Sequence, residues 1–153
     1  MSIKKKEIYL IIQNVRSLFN VGSMFRTADV FDVTKIYLCG YTGFPPRDQI
    51  SKTALGAEEW IDWERKRQTN TLIKKLKKQG VKIVVLETGE KNKALPKFKP
   101  KFPLALIVGN ELTGVNQSTI ELADDIITIP MLGKKDSLNV ATAAGIALYQ
   151  LRN

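Results

Sequence analysis

Residues 104–114 read LALIVGNELTG, five consecutive apolar residues followed by a polar turn that begins and ends with glycine. An uninterrupted apolar run of this length is typical of a strand that is buried on both faces of a parallel sheet. The glycines of the turn, Gly109 and Gly114, allow a tight bend and a close approach of the backbone to a ligand. The segment therefore predicts a central strand that leads directly into a candidate binding loop.

Segments that favour strands and helices alternate on either side of this run. Apolar runs predict strands at residues 7–13, 35–39, 81–86 and 125–130, with a weak extended stretch at 60–63. Amphipathic patterns predict helices at residues 21–31 (capped by Asn20), 51–59, 69–79, 116–123 and 139–152. Glycines, prolines and lysines predict loops at 40–46 and 88–103. The alternation predicts an α/β fold, a mostly parallel sheet with helices on both faces, in a single domain of residues 1–153.

The last predicted helix is apolar on two sides. One stripe, long enough to cover a sheet, consists of Val140, Ala143, Ala144, Ala147 and Leu151. Ile146 and Tyr149 lie on the other side, beside Gly145. A helix with two apolar faces needs a second covering surface. The pattern therefore predicts a homodimer interface, and the alternative is that these two side chains lie partly exposed.

Basic residues outnumber acidic ones by 24 to 15, which gives a net charge of +9. An excess of this size favours a polyanionic partner, because positive charge steers the encounter and binding releases counterions. The alternative is that the lysines only keep the protein soluble. Their distribution favours a nucleic acid or another acidic surface, because they form two clusters: Lys74, Lys75, Lys77 and Lys78 on one helix, and Lys91, Lys93, Lys97, Lys99 and Lys101 in one loop.

Residue types that are absent or rare exclude several classes of function. The chain has no histidine and a single cysteine, Cys39, so the usual metal sites are not expected and a histidine base is excluded. The glycine-rich loops of dinucleotide and nucleoside triphosphate sites are also missing. Apolar runs all fall short of the ~18 residues of a membrane span. One unpaired cysteine suits a reducing compartment, so a cytoplasmic protein is expected.

Three polar segments lie where strands end or helices begin, which is where open α/β sheets place their sites. They are residues 14–22 with Arg26, residues 108–114, and residues 129–133 with 137–140. Each segment alone has an ordinary alternative: Arg26 as a surface residue, the glycine turn as a simple connection, and Ser137 or Asn139 as a helix cap.

Taken together, the three segments form a more specific pattern. They read N-x-G-x-x-x-R from Asn20, G-N-E-x-x-G from Gly109, and I-P-M-x-G from Ile129, with S-L-N-V beginning eight residues beyond that isoleucine. In order and spacing they resemble the three motifs of the SpoU–TrmH branch of the SPOUT methyltransferases. The resemblance extends over residues 11–149, almost the whole chain.

The resemblance implies a fold, a cofactor and a set of site residues. The C-terminal part of the sheet would be tied in a deep trefoil knot, and the active site would lie at the interface of a homodimer. S-adenosylmethionine would bind largely through the backbone of Gly109, Ile129 and Leu138, in an adenosine pocket lined by Leu86, Thr88 and Met131. The polar active-site residues would be Asn20, Arg26, Glu111, Ser137 and Asn139.

The implied reaction is transfer of a methyl group to a ribose 2′-hydroxyl of structured RNA, either tRNA or rRNA. Arg26 has two possible roles: activation of that hydroxyl, or stabilisation of the adjacent phosphate and the developing alkoxide, since a guanidinium is a poor base. Many relatives carry an additional N-terminal RNA-binding domain, which the few residues before the first strand cannot form. Two alternatives are a non-catalytic RNA-binding module and a base-nitrogen methyltransferase, the latter disfavoured by the S-L-N-V motif.

Overall fold

In a computed structural model the chain is described over residues 6–153; residues 1–5 of the predicted domain lie outside the described residues. Within that range one sheet is formed by β1 (Ile8–Gln13), β2 (Lys35–Cys39), β3 (Trp63–Lys66), β4 (Lys82–Leu86), β5 (Lys93–Ala94), β6 (Leu104–Val108) and β7 (Asp125–Thr128). The strand order across the sheet is β3-β2-β1-β6-β4-β7-β5. Neighbouring strands are parallel at every pairing.

The two central strands, β1 and β6, are buried because both faces of the sheet are covered. All five residues of β6 are buried, and successive side chains point to opposite faces, as the pleat of a strand requires. Leu104, Leu106 and Val108 join one hydrophobic cluster, whereas Ala105 and Ile107 join the other. The uninterrupted apolar run of residues 104–108 therefore reflects a strand between two helical layers.

The helices form these two layers. They are α1 (Leu18–Val30), α2 (Asp48–Ala54), α3 (Thr69–Lys78), α4 (Gln117–Ile120) and α5 (Val140–Arg152). Buried residues of α1, α2 and α5 belong to one cluster, and those of α3 belong to the other, against which Ile120 of α4 also packs. The predicted parallel sheet with helices on both faces is thus confirmed. Among the helices of residues 6–153, none has the length and apolar character needed to cross a membrane.

Helix α1 begins three residues earlier than predicted, because its cap is Ser17 and not Asn20. Ser17 has extended backbone angles, and its Oγ accepts the backbone N–H of Asn20 at 3.1 Å. Serine and asparagine are about equally good caps, so the sequence could not decide between them. The side chain of Asn20 is consequently available for other contacts.

Two predicted segments differ from the structure in the outer parts of the sheet. The helix predicted at 51–59 is α2 followed by a separate 3-10 turn, Ala57–Glu59, since Leu55 adopts a left-handed φ of 53°. The extended stretch lies at Trp63–Lys66 and not at 60–63. The loop predicted at 88–103 contains the short edge strand β5 and a 3-10 turn, Leu95–Lys97, because Leu95 is buried and β7 offers a free edge.

Helix α5 is apolar on two sides, as predicted. Ala144, Ala147, Leu148 and Leu151 are buried against α1 and the sheet. On the other side Ile146 and Tyr149 are 41% and 57% exposed, and the Tyr149 ring meets the edge of Phe31 with 5.9 Å between centroids. Val140, at the start of the predicted stripe, packs against the same core, and Val140 and Ala143 also line a cleft at the carboxyl ends of the strands.

Candidate active site

The cleft has a volume of about 250 Å³ and opens at the carboxyl ends of β4, β6 and β7. Its walls are the turn at residues 109–114, the irregular segment at 129–138, and the start of α5. All six predicted cofactor-binding residues line it, namely Leu86, Thr88, Gly109, Ile129, Met131 and Leu138. Glu111 and Ser137, two of the five predicted polar residues, line it as well.

Hydrogen bonds link three of the predicted polar residues at the edge of this cleft. The amide Nδ2 of Asn20 donates to Oε2 of Glu111 at 3.3 Å, and Nδ2 of Asn139 donates to Oδ1 of Asn20 at 3.1 Å. These residues come from α1, from the turn after β6 and from the start of α5. The single chain therefore assembles residues from all three motifs into one polar cluster.

Asn139 combines the two roles that the sequence allowed. Its Oδ1 caps α5 by accepting the backbone N–H groups of Ala141 at 2.9 Å and Thr142 at 3.2 Å. Its Nδ2 is then directed toward Asn20. The helix cap thus fixes the orientation of the amide that faces the cluster.

The Glu111 carboxylate anchors the start of α1. Its oxygens accept the backbone N–H groups of Arg16 at 3.1 Å and Ser17 at 3.0 Å. Partial burial acts to raise the pKa of Glu111, but the hydrogen bonds from Ser17, from its own backbone, from Arg16 and from Asn20 outweigh it and lower the pKa below its ordinary value. Glu111 is therefore an ionised, well-satisfied carboxylate, suited to positioning and poorly suited to taking up a proton.

We expect Glu111→Gln to destabilise the chain in a pH-dependent way. Because folding lowers the pKa of Glu111, its stabilisation is fully present above the pKa of the unfolded chain and is lost as pH falls through the folded value. The deficit of the variant should be about 1 kcal/mol at pH 7, after allowance for solvent screening, and should shrink toward zero in acid.

Chemical denaturation of wild type and Glu111→Gln, from pH 7 into acid, measures the difference between their free energies of unfolding. Glu90→Gln is the matched control, since Glu90 lies on an exposed turn outside the cleft. A deficit that stays constant from neutral to acidic pH would contradict the role given to the carboxylate.

Two cleft residues that the sequence analysis did not select hold the turn at 109–114 in place. Oδ1 of Asn110 accepts the backbone N–H groups of Leu112 at 2.8 Å and Thr113 at 3.0 Å. Oε2 of Glu87 accepts the N–H of Val115 at 2.9 Å. Glu87 directly follows β4, so its position at a strand end was the available signal.

Gly109 is required by close packing within the same turn. A Cβ added there would lie 2.5 Å from the carbonyl carbon and oxygen of Gly114 and from the nitrogen of Val115. These are backbone atoms, which cannot move aside as a side chain could. The glycine therefore serves the closure of the turn as well as the lining of the cleft.

Arg26 lies apart from the polar cluster. It is exposed on α1, six residues beyond Asn20, which corresponds to ~9 Å along a helix axis. It lines a groove with Ser23, Thr27, Val30, Phe31, Lys52 and Thr53. A second groove, between α1 and α5, shares Ser23, Thr27 and Phe31 with the first and extends to Asn20, Asn139 and Tyr149. The surface around Arg26 is thus continuous with the cluster, although one chain does not bring the arginine into it.

Cys39 is not a candidate nucleophile. It is buried at the end of β2, and burial raises the pKa of its thiol to about 12. The thiol is therefore protonated at neutral pH, and the nucleophilic form is the thiolate.

The model of the SpoU rRNA Methylase family matches residues 7–149. The chain belongs to the SpoU methylase family. This confirms the family inferred from the three motifs. SpoU-family relatives include 23S rRNA (guanosine-2′-O-)-methyltransferase RlmB of Vibrio parahaemolyticus, which is 33% identical over 143 residues, 94% of this chain and 58% of the relative. The chain thus spans less than two thirds of that relative's length.

Two further methyltransferases are similar to the chain. The tRNA (guanosine(18)-2′-O)-methyltransferase of Aquifex aeolicus is 30% identical over 148 residues, 96% of this chain and 69% of the relative. The structure of an AdoMet-bound rRNA methyltransferase from Sinorhizobium meliloti matches with a TM-score of 0.89 and 28% identity, over 97% of this chain and 57% of that one. The latter supports the fold class from experimental coordinates.

Proposed function

We propose that this SpoU-family chain transfers a methyl group from S-adenosylmethionine to a ribose 2′-hydroxyl of structured RNA, either tRNA or rRNA. The observation that carries the proposal is that all six predicted cofactor-binding residues line one cleft, with the Asn20–Glu111–Asn139 cluster at its edge. Relatives named as guanosine 2′-O-methyltransferases of 23S rRNA and of tRNA support it.

The cleft suits this cofactor in shape and in charge. Leu86, Val108, Ile129, Leu138 and Ala143 give it apolar walls for a purine. Its volume of about 250 Å³ is close to the ~300 Å³ at which small-molecule sites begin. The charged side chains among the described residues that line it are the carboxylates Glu87 and Glu111, with no basic one. A cationic ligand such as a sulfonium is therefore favoured over an anionic one.

When bound, S-adenosylmethionine would supply an electrophilic methyl group on a sulfonium. The ribose 2′-oxygen would form the new C–O bond as the methyl–sulfur bond breaks, the hydroxyl proton would pass to solvent water, and a neutral thioether would remain. Such a donor needs alignment more than activation, and alignment can contribute ~7–11 kcal/mol to the rate. Glu111 contributes to alignment by fixing the start of α1 and the Asn20 amide. In this proposal the guanidinium of Arg26 binds the phosphate beside the reacting ribose and stabilises the developing alkoxide.

The finer features of the family are also part of this proposal. We propose a homodimer formed across the groove between α1 and α5, which includes the exposed Ile146 and Tyr149. A second copy there would supply Arg26 to the cleft of its partner, which accounts for the distance of Arg26 from the cluster of its own chain. Analytical ultracentrifugation that finds only monomer at working concentrations would exclude this arrangement.

We also propose that residues 129–139 close a deep trefoil knot around the cleft. The support is the family assignment together with the observation that Ile129, Met131, Ser137 and Leu138 of this segment line the same cleft as the ends of β4 and β6. A crystal structure in which this segment leaves β7 without threading would exclude the knot.

The cofactor proposal predicts a large effect of Leu138→Asp. Leu138 lines the cleft and is 40% exposed, so a carboxylate there faces the bound purine without opening a cavity in the core. We expect the dissociation constant for S-adenosylmethionine, measured by calorimetry, to rise more than tenfold. Leu132→Asp is the matched control: Leu132 is 96% exposed in the same segment and does not line the cleft, so its variant should bind normally.

Activity is tested by incubating the wild-type protein with S-adenosylmethionine and unmodified tRNA or rRNA, followed by mass spectrometry of the nucleosides. A 2′-O-methylated nucleoside in one RNA class identifies the substrate. Cofactor binding without methylation of either RNA class would point to a different methyl acceptor. Equal S-adenosylmethionine affinity in wild type and Leu138→Asp would show that the cofactor does not bind in this cleft.

A further inference from the structure

Two exposed aromatic rings, one beside the cleft and the other at the edge strand β3, lie next to arginine side chains. Tyr41 is 55% exposed, and the guanidinium carbon of Arg16 lies 5.7 Å from its ring centroid. Phe44 is 36% exposed, and the guanidinium carbon of Arg65 lies 4.6 Å from its ring centroid. These four residues are called the arginine–aromatic surface. None of them belongs to the residues proposed above for cofactor binding or methyl transfer.

The loop that carries both rings is held by buried hydrogen bonds. Thr42, between the two rings, is 2% exposed, and its Oγ1 accepts the N–H of Val15 and donates to the carbonyl of Ile12, each at 3.1 Å. Oδ1 of Asn14 accepts the N–H of Tyr41 at 3.2 Å. The rings are therefore presented on a fixed backbone, which lowers the entropy cost of binding a ligand to them.

The arginine–aromatic surface adjoins the candidate active site directly. The hydroxyl of Tyr41 accepts the amide N–H of Asn110 at 2.8 Å, and Asn110 lines the cleft. The backbone N–H of Arg16 donates to Glu111 in the polar cluster. An RNA strand whose ribose reaches the cluster would thus place a neighbouring nucleotide at Tyr41, and Phe44 lies three residues further along the same loop.

The chemistry of this surface matches unpaired RNA. Unstacked bases are bound by stacking on aromatic rings and on guanidinium planes, while cationic groups contact the phosphates. Arg47 and Arg67 are also exposed in the adjoining loops, which adds positive charge around the rings. The acidic Glu64 next to them is paired with Lys66 at 3.1 Å.

The two lysine clusters lie elsewhere. Lys97, Lys99 and Lys101 line a groove at the amino ends of β4 and β7, at the opposite end of the sheet from the cleft. On α3, Lys77 contacts the carbonyl of Leu122 at 2.7 Å, near the amino end of β7. Lysines at that end contribute charge, whereas flat stacking groups are present beside the cleft.

We infer that the arginine–aromatic surface binds unpaired nucleobases next to the nucleotide that is methylated. The statement that the neighbouring nucleotide is methylated rests on the proposed function. The binding of unpaired RNA by this surface does not. Its substrate class is RNA with a single-stranded segment, such as a loop, at the modification site.

Stacking is measured with a short single-stranded oligoribonucleotide that contains 2-aminopurine, whose fluorescence falls when the base stacks. We expect quenching by the wild-type protein, and a five- to hundredfold loss of affinity in both Tyr41→Ala and Phe44→Ala. Tyr41→Phe should bind nearly as well as wild type, because it keeps the ring and loses only the contact with Asn110. Phe44→Ala tests stacking by a ring for which no contact with the cleft is seen.

The charge control is the triple variant Lys97→Gln, Lys99→Gln, Lys101→Gln. Because these lysines lie at the opposite end of the sheet, the variant should leave both the salt dependence of binding and the quenching of 2-aminopurine near their wild-type values. Unchanged affinity in both alanine variants would overturn the inference. The inference would also be overturned if polyglutamate displaced the labelled oligoribonucleotide as well as unlabelled oligoribonucleotide does, because the surface would then be a site for an acidic protein. If wild type binds the oligoribonucleotide through these rings but methylates no RNA, the surface stands and the proposed function fails.

Discussion

Replacing Arg26 with alanine is expected to slow methyl transfer by about 10²–10³-fold while cofactor affinity and thermal stability stay at wild-type values. The rate effect arises because the guanidinium is proposed to act only where charge develops on the ribose oxygen and on the adjacent phosphate. Stability should be unaffected because Arg26 is exposed, and surface changes of this kind usually cost within ~0.5 kcal/mol. Single-turnover kinetics on the identified RNA, calorimetry and thermal unfolding measure the three quantities.

Two further variants test whether the geometry of the Arg26 guanidinium matters or only the positive charge in its groove. Arg26→Lys should restore little activity, because an ammonium cannot make the planar, two-pronged contact with phosphate. Lys52→Ala removes a positive charge from the groove that Arg26 lines, and it should have a small effect. Near-normal turnover in Arg26→Ala would refute the catalytic assignment, and unfolding of that variant would show that the arginine is structural.

Mixed dimers test which cleft Arg26 serves. A preparation that combines Arg26→Ala chains with Leu138→Asp chains should be much more active than either variant alone, because one cleft of each mixed dimer keeps both its cofactor site and its partner's arginine. If Arg26 served the cleft of its own chain, no mixed dimer would contain a complete site, and mixing would restore nothing.

Gly109→Val is expected to abolish S-adenosylmethionine binding and to destabilise the fold together. Because a Cβ at this position would meet backbone atoms of Gly114 and Val115 at 2.5 Å, the turn at 109–114 must open to accept valine. Overpacking of this kind costs ~1–3 kcal/mol, and the displaced turn would no longer form the wall of the cleft. Calorimetry and chemical denaturation measure the two effects.

The matched control is Gly133→Ala, since a Cβ at Gly133 meets nothing within 4 Å and should leave stability unchanged. Equal cofactor affinity in wild type and Gly109→Val would show that the cofactor does not lie against this turn. A loss of affinity without any loss of stability would mean that the valine blocks the ligand and not the closure of the turn.

The parallel sheet could be predicted from local sequence patterns, whereas the residues of the cleft were predicted from the resemblance to the SpoU–TrmH motifs. Residues 35–39 and 104–108 are strands with the predicted bounds, since continuous apolar runs leave few alternatives. The cleft residues follow strands β4, β6 and β7, and parallel strands bring their carboxyl ends together.

Other features depend on contacts that local patterns do not encode. Ser17, and not Asn20, caps α1, and both residues donate hydrogen bonds to the carboxylate of Glu111, almost a hundred residues away in the chain. Leu95 lies within the loop predicted at 88–103, but it begins a 3-10 turn there because the core accepts its side chain. The lysine clusters were evident from the sequence, yet only the structure shows that Lys97, Lys99 and Lys101 line a groove at the far end of the sheet from the cleft.

The strand order also has a consequence for how the chain folds. The centre of the sheet is the pairing of β1 with β6, in which Ile8 lies opposite Leu104. During synthesis β1 therefore remains without its partner β6 until most of the chain has been made. Its other neighbour, β2, is made earlier but covers only one of its edges. Sheets dominated by such distant pairings fold slowly and expose apolar edges in the meantime. The arrangement that gathers the cleft from distant segments thus also makes nascent chains dependent on protection from aggregation.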